Sequence, residues 1–160
     1  MALTSPKTYT TPDCRCLALR RAGHADHEAV ASLLQGLALP TEGVAEWLEQ
    51  FWVAEHQGRV VGVAGMERYG DSGLLRSVAV APQWRGSGIS RTLVDRVLEE
   101  GRAAGVLDVY LLTTTAEHYF PRLGFECVGR ETVPAAVQAS AEFTGACPAS
   151  AVVMRKAATN

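Results

Sequence analysis

The chain has 160 residues, 48% of them hydrophobic and 20% charged, and a formal net charge of -2. That length supplies one domain whose core needs no staples, and the absence of a basic excess excludes the phosphate-neutralising stripe of a nucleic-acid binder. No apolar run reaches the roughly 20 residues that cross a bilayer, and residues 1–12 are Thr/Pro-rich without an apolar signal core. The expectation is a cytoplasmic protein with no membrane partner, a flexible tail over residues 1–14 and a single domain over residues 15–160.

Residues 15–21 alternate as a short strand, and residues 24–39 carry Val30, Leu33, Leu34 and Leu37 at helical spacing, with Asp26 and Glu28 near the start. A short amphipathic helix follows through Val44, Trp47 and Leu48, with Thr41 as its cap. Residues 51–55 and 59–66 flank the turn His56-Gln57-Gly58 and read as a hairpin. Another strand over 74–81 is closed by Pro82, which cannot donate to a ladder.

Beyond Gly88 the spacing of Ile89, Leu93, Val94, Val97 and Leu98 predicts a helix to about residue 104, stopped by Gly105, and residues 109–113 form a buried strand. Parallel strands need a crossover of this length, so residues 74–113 read as a βαβ unit. The remaining expectations are a helix over 116–123, a strand over 125–129, a helix over 134–141 opened by Pro134, and a last strand over 150–155.

Four cysteines raise the question of metal or disulfides. Cys14 and Cys16 stand two apart, Cys127 and Cys147 stand alone, and no histidine pattern accompanies them, so the expectation is free thiols and no metal. Two cysteines sharing one face of a strand leave open the gripping of a soft ion.

The most informative stretch is Gln83-Trp84-Arg85-Gly86-Ser87-Gly88, between a strand and a helix. A diphosphate held without metal needs backbone N–H groups converging from a loop and a helix N-terminus, where the dipole favours anions. Gly86 and Gly88 permit positive φ and close approach, and Arg85 adds a cation. A Walker loop is excluded because no Gly-Lys-Ser/Thr follows. A Rossmann loop is excluded because Arg91 stands at the third glycine and Asp108 precedes the next strand.

The strand Leu75-Arg76-Ser77-Val78-Ala79-Val80-Ala81-Pro82, the loop, and Tyr119-Phe120-Pro121-Arg122-Leu123-Gly124-Phe125 resemble the GNAT superfamily of acyl-CoA N-acyltransferases. Within it, residues 111–117 and the tail from Val133 to Ser150 resemble the arsenic-resistance-associated N-acetyltransferases, relatives of phosphinothricin acetyltransferases. The resemblance implies a mixed α/β (α+β) fold: a mostly antiparallel central sheet, helices on both faces and a βαβ acetyl-CoA unit. It implies acetyl-CoA as co-substrate, with Arg85, Gly86, Ser87, Gly88, Ile89 and Ser90 on the pyrophosphate. Val78, Ala79 and Val80 would line the pantetheine, and an N–H near Val78 or Ala79 would stabilise the oxyanion.

Attack on a thioester needs a neutral amine and hence a proton acceptor, for which Glu67 is the candidate. The competing role for Glu67 is a cross-strand partner of Arg76, in which case water takes the proton. The usual acid, a tyrosine, is replaced by Phe120. Tyr119 lies one residue earlier, about 100° around a helix, so its role is divided between acid, packing and substrate contact. Arg76, Arg68, Thr113 and Thr114 are candidates for an anionic group on an amino-acid-like acceptor, against ordinary surface placement for the arginines.

The leading function is acetylation of the amino group of a small amino-acid-like substrate, with arsinothricin or phosphinothricin implied by the narrower resemblance. The alternatives are another small amine, a protein N-terminus, or a CoA-binding regulatory module without catalysis. Relatives of this kind form dimers, so a homodimer is a further expectation, with the segment after Val133 at the acceptor wall or the contact.

Overall fold

The computed structural model describes residues 7–10 and 16–158. Among the described residues eight strands form one sheet: β1 (Lys7–Thr10), β2 (Cys16–Arg21), β3 (Phe51–His56), β4 (Arg59–Tyr69), β5 (Ser72–Val80), β6 (Asp108–Thr113), β7 (Glu126–Cys127) and β8 (Val152–Ala157). Their spatial order is β1-β2-β3-β4-β5-β6-β8-β7, and β5–β6 is the parallel pair in an otherwise antiparallel sheet. Lys7–Thr10, assigned by the sequence to the tail, instead pair with Cys16–Leu19 as an edge strand. The tail's Thr/Pro composition concealed four residues that satisfy their backbone groups on β2.

Helices α1 (His27–Gly36) and α2 (Val44–Trp47) cover one face, and α3 (Ile89–Ala103) covers the other. Strand alternation explains the division. Val63 and Phe51 join Val30, Leu34 and Val44 under α1 and α2, while Ala64 and Met66 join Leu93, Val94 and Val97 under α3. Helix α4 (Ala135–Gln138) sits over a third apolar cluster of Leu74, Tyr110, Val133, Val137 and Val153. The expected mixed sheet with helices on both faces and a β5–α3–β6 crossover is therefore present.

Local boundaries differ where turn chemistry overrides periodicity. Residues 116–119 form turns and Phe120–Leu123 a single 3-10 turn, because Pro121 removes a donor and Gly124 (φ 93°) ends the segment. The helix expected over 134–141 shortens to α4, followed by a π-helical turn at Glu142–Ala146. Thr41 does not cap α2. Gly43 does so with φ 82°, and a Cβ there would stand 2.9 Å from Arg76 Nη1, so this glycine makes room for a buried guanidinium.

Two features of β5 open the sheet. Its pairing with β6 covers Ser72–Leu74 and then stops. Its pairing with β4 slips, Val63 and Gly65 on β4 facing Ala79 and Arg76 on β5, so β5 carries one extra residue. Ser77, with φ 58°, is that residue; a non-glycine in the left-handed region marks a β-bulge held by its surroundings. Beyond it Ala79 and Val80 stay paired with Val63 and Gly62 of β4, while the edge of β5 that faces β6 is unpaired.

Candidate active site

The divergence of β5 from β6 produces a cavity of about 630 Å³. Its floor is Leu75–Val80 and Leu111–Thr113, and its walls are residues 37–42, the segment 84–90, Tyr119, and a stretch from Glu142 to Ala151. Of the candidates named from sequence, Arg76, Val78, Ala79, Val80, Arg85, Gly86, Gly88, Ile89, Ser90, Thr113, Thr114 and Tyr119 line it. Glu67, Arg68 and Ser87 do not.

The loop is built as an anion cradle. Gly86 and Gly88 have φ of 77° and 82°, and a Cβ on either would meet no protein atom within 4 Å. The left-handed backbone, with the open space above it, presents the N-terminus of the 15-residue α3 to the cavity. Ser87 Oγ donates to the carbonyl of Trp84 at 2.5 Å, which closes the turn and leaves the Ser87 backbone as its contribution. Arg85 is exposed at the cavity rim and Ser90 half-buried within it.

Tyr119 extends over the helix start, its hydroxyl 2.6 Å from Ser90 Oγ. Phe120, beside it at the cavity's edge, is buried in the core, edge-on to Tyr119 at 5.1 Å and to Phe125 at 5.8 Å. The one-residue offset between them therefore puts a hydroxyl in the cavity and a ring in the core. Thr113 Oγ1 accepts the Ala116 N–H at 2.9 Å, fixing the turn that carries Tyr119, and Thr114 is exposed at the mouth.

Glu67 is 1% exposed and accepts from Arg76 Nη1 at 2.7 Å and from the Tyr69 hydroxyl. This is the cross-strand pair, and it holds the carboxylate behind Arg76, out of reach of the cavity. Burial, then the hydrogen bond to Glu67, raises the Tyr69 hydroxyl well above its ordinary range. Arg76 also donates to Ser77 Oγ at 3.1 Å and to the Pro40 carbonyl at 3.4 Å, so it ties β4, the bulge and the wall after α1 together.

Arg68 corrects the sequence reading. One residue from Glu67, it faces α3 and binds Glu100 at 3.2 Å, alongside Arg21 and the Trp52 indole. Period-two alternation places consecutive residues on opposite faces, so Glu67 and Arg68 could not serve one site.

Sequence reasoning missed Glu42 and Glu142, two carboxylates in the wall. Glu142 is 5% exposed; burial pushes its carboxyl up to about 7, against the Arg76 charge. Cys147 hydrogen-bonds it, and burial followed by the Glu142 charge pushes that thiol up to about 12. Cys127 and Cys147 are free thiols, while Cys14 lies outside the described residues. No cluster suited to a metal ion occurs among the described residues.

A family model described as an acetyltransferase (GNAT) domain matches residues 47–127, from α2 through β7. The chain belongs to the GNAT acetyltransferase family. The chain is 37% identical over 123 residues to an amino-acid acetyltransferase of Mycobacterium tuberculosis, covering 71% of this chain and 70% of that protein. A second amino-acid acetyltransferase, of Pseudomonas fluorescens, is 36% identical over 91 residues, covering 56% of this chain but 21% of that protein. The chain thus spans only about a fifth of that longer relative. Among solved structures, a Mycobacterium tuberculosis protein in complex with CoA superposes with a TM-score of 0.74 at 28% identity, over 87% of this chain and 98% of that one.

Among the described residues, no helix is long and apolar enough to cross a membrane.

Proposed function

We propose that this GNAT protein transfers the acetyl group of acetyl-CoA to the amino group of an amino acid or close analogue. The observation that carries this reading is the cleft itself: a bulge at Ser77 parts β5 from β6, and a positive-φ glycine loop waits at one end of the gap. The similarity to an amino-acid acetyltransferase and to a CoA complex supports the same assignment.

Residues 85–90 suit the pyrophosphate. The backbone N–H groups of Gly86 to Ser90 and the guanidinium of Arg85 match its charge, and the space above Gly86 and Gly88 admits its oxygens. The released edge at Val78, Ala79 and Val80 suits the amide groups of the pantetheine arm. Acetyl-CoA supplies a thioester whose carbonyl carbon receives the amine. A main-chain N–H beside the bulge would donate to the carbonyl oxygen and stabilise the negative charge that develops there. The Tyr119 hydroxyl, anchored on Ser90, is in position to return a proton to the departing sulfur.

The acceptor end carries Arg76 beside Glu42 and Glu142. The acidic wall suits the ammonium of a zwitterion and Thr114 at the mouth suits its carboxylate, while the Arg76 guanidinium, buried against Glu67, offsets the acidic charge from behind the wall. Glu67 then serves as the positioning partner of Arg76. Arsinothricin and phosphinothricin, amino-acid-shaped anions, belong to the same substrate class.

The test is CoA thiol release with a panel of L-glutamate, L-glutamine, arsinothricin, phosphinothricin and spermidine. Turnover with amino-acid-shaped acceptors, each giving a product heavier by one acetyl group, is expected. Turnover with spermidine alone would refute the substrate class.

A further inference from the structure

At neutral pH an amino-acid ammonium has no lone pair, so acetyl transfer begins with removal of a proton. Glu67 cannot take it, since its oxygens are occupied by Arg76 and Tyr69 behind the cavity wall. A second buried carboxyl stands in the wall itself. Glu142 opens the π-helical turn after α4, a backbone irregularity common at functional sites, and its side chain is buried with no hydrogen-bond partner for Oε2.

A buried acceptor left unpaired costs the fold roughly 1–3 kcal/mol, more if charged. Four groups face this carboxyl: Arg76 from β5, Glu67 from β4, Glu42 from the segment between α1 and α2, and Cys147 at the end of its own turn. Only Arg76 is cationic, and it is already paired with Glu67. Burial and the Glu142 charge keep the Cys147 thiol protonated over the physiological range, and Oε2 of Glu142 has no hydrogen-bond partner.

Resting on the acetyl-transfer reading above, we infer that Glu142, which lines the cavity wall, is the catalytic proton acceptor for the acceptor amine. Glu142 removes one proton from the ammonium and leaves a neutral amine. Its lone pair forms the C–N bond to the acetyl carbon, and the C–S bond breaks with its electron pair on sulfur. The second nitrogen-borne proton balances that thiolate by way of Tyr119 or water. The products are the amide, the CoA thiol and the proton on Glu142, which passes to solvent. Burial holds the carboxyl near 7, so both protonation states are accessible at neutral pH, as a general base requires.

Acetyl transfer to L-glutamate and L-glutamine from pH 5.5 to 9.5 tests this in the wild type, Glu142→Gln and Glu142→Ala, with CoA affinity measured by calorimetry. The wild type should show an acidic limb of kcat/KM near pH 7. In Glu142→Gln the rate at pH 7.5 should fall about 100-fold and the limb should vanish, with CoA affinity within about twofold of wild type. Formate should partly restore Glu142→Ala. A wild-type rate and limb in Glu142→Gln would overturn the assignment alone. A wild type that binds CoA but acetylates neither acceptor would overturn the acetyl-transfer reading, and the assignment with it. Carboxyl-carbon NMR of the wild type needs no variant, and no glutamate titrating near 7 would also overturn the assignment.

Discussion

Replacing Glu142 by glutamine should change the pH dependence of stability even without any substrate. The carboxyl is displaced from an ordinary 4.5 to about 7, mainly by burial, with Arg76 opposing and Glu67 adding. The folded-state value lies above the unfolded one, so the folded protein holds the proton more tightly. The wild type has its full stability below about pH 4.5, loses it as pH rises towards 7, and levels off above that. At 1.36 kcal/mol per unit, the displacement corresponds to about 3 kcal/mol. The glutamine variant lacks this loss, while every other titrating group is common to both proteins. The melting-temperature difference, variant minus wild type, should therefore grow from pH 4.5 to pH 8, by roughly 6–12 °C at 2–4 °C per kcal/mol for a chain of this size. Calorimetric melts of the ligand-free proteins at five pH values measure it directly. A difference that stays constant to within about 1 °C would refute the claim that Glu142 is buried with a raised pKa.

Gly88→Val adds a Cβ that meets no protein atom, so its cost to folding is the φ of 82° alone, about 1–2 kcal/mol, while the side chain fills the space above the helix start; calorimetry should find CoA bound at least about tenfold more weakly. Arg76→Ala leaves Glu67 as an uncompensated buried carboxylate and should destabilise by about 3–5 kcal/mol in denaturant titrations, and Arg76→Ala/Glu67→Gln should recover part of that loss. Tyr119→Phe removes only the hydroxyl on Ser90; as the acid it should lower kcat about 10²-fold with CoA affinity nearly unchanged, whereas Phe120→Tyr should not rescue it, because the Phe120 ring is buried between Tyr119 and Phe125 and does not reach Ser90.

The sequence made the β5–α3–β6 unit legible because its signals are local. Apolar spacing from Ile89 to Val97, glycines at 86 and 88, and the stop at Pro82 each act within one turn or one strand end. Tyr119 could be placed only as a question, since a hydroxyl at Ser90 depends on how the turn after β6 folds back over α3. Arg68 was misjudged where proximity in sequence outweighed alternation: Glu67 and Arg68 face opposite sides of β4. The bulge at Ser77 leaves no compositional trace, because a serine with φ 58° is imposed by the slip between β4 and β5. Glu142 was invisible for a related reason. It follows the predicted helix over 134–141 with no periodic pattern of its own, and its burial arises only when the turn after α4 closes over the splayed strands.

Acetyl transfer to an amino-acid amine is tested most directly by thiol release from acetyl-CoA. With saturating acetyl-CoA at pH 8, CoA thiol should appear only when an amino-acid-shaped acceptor is added, in a one-to-one ratio with an N-acetylated product identified by mass. CoA binding without thiol release for any acceptor in the panel would contradict it.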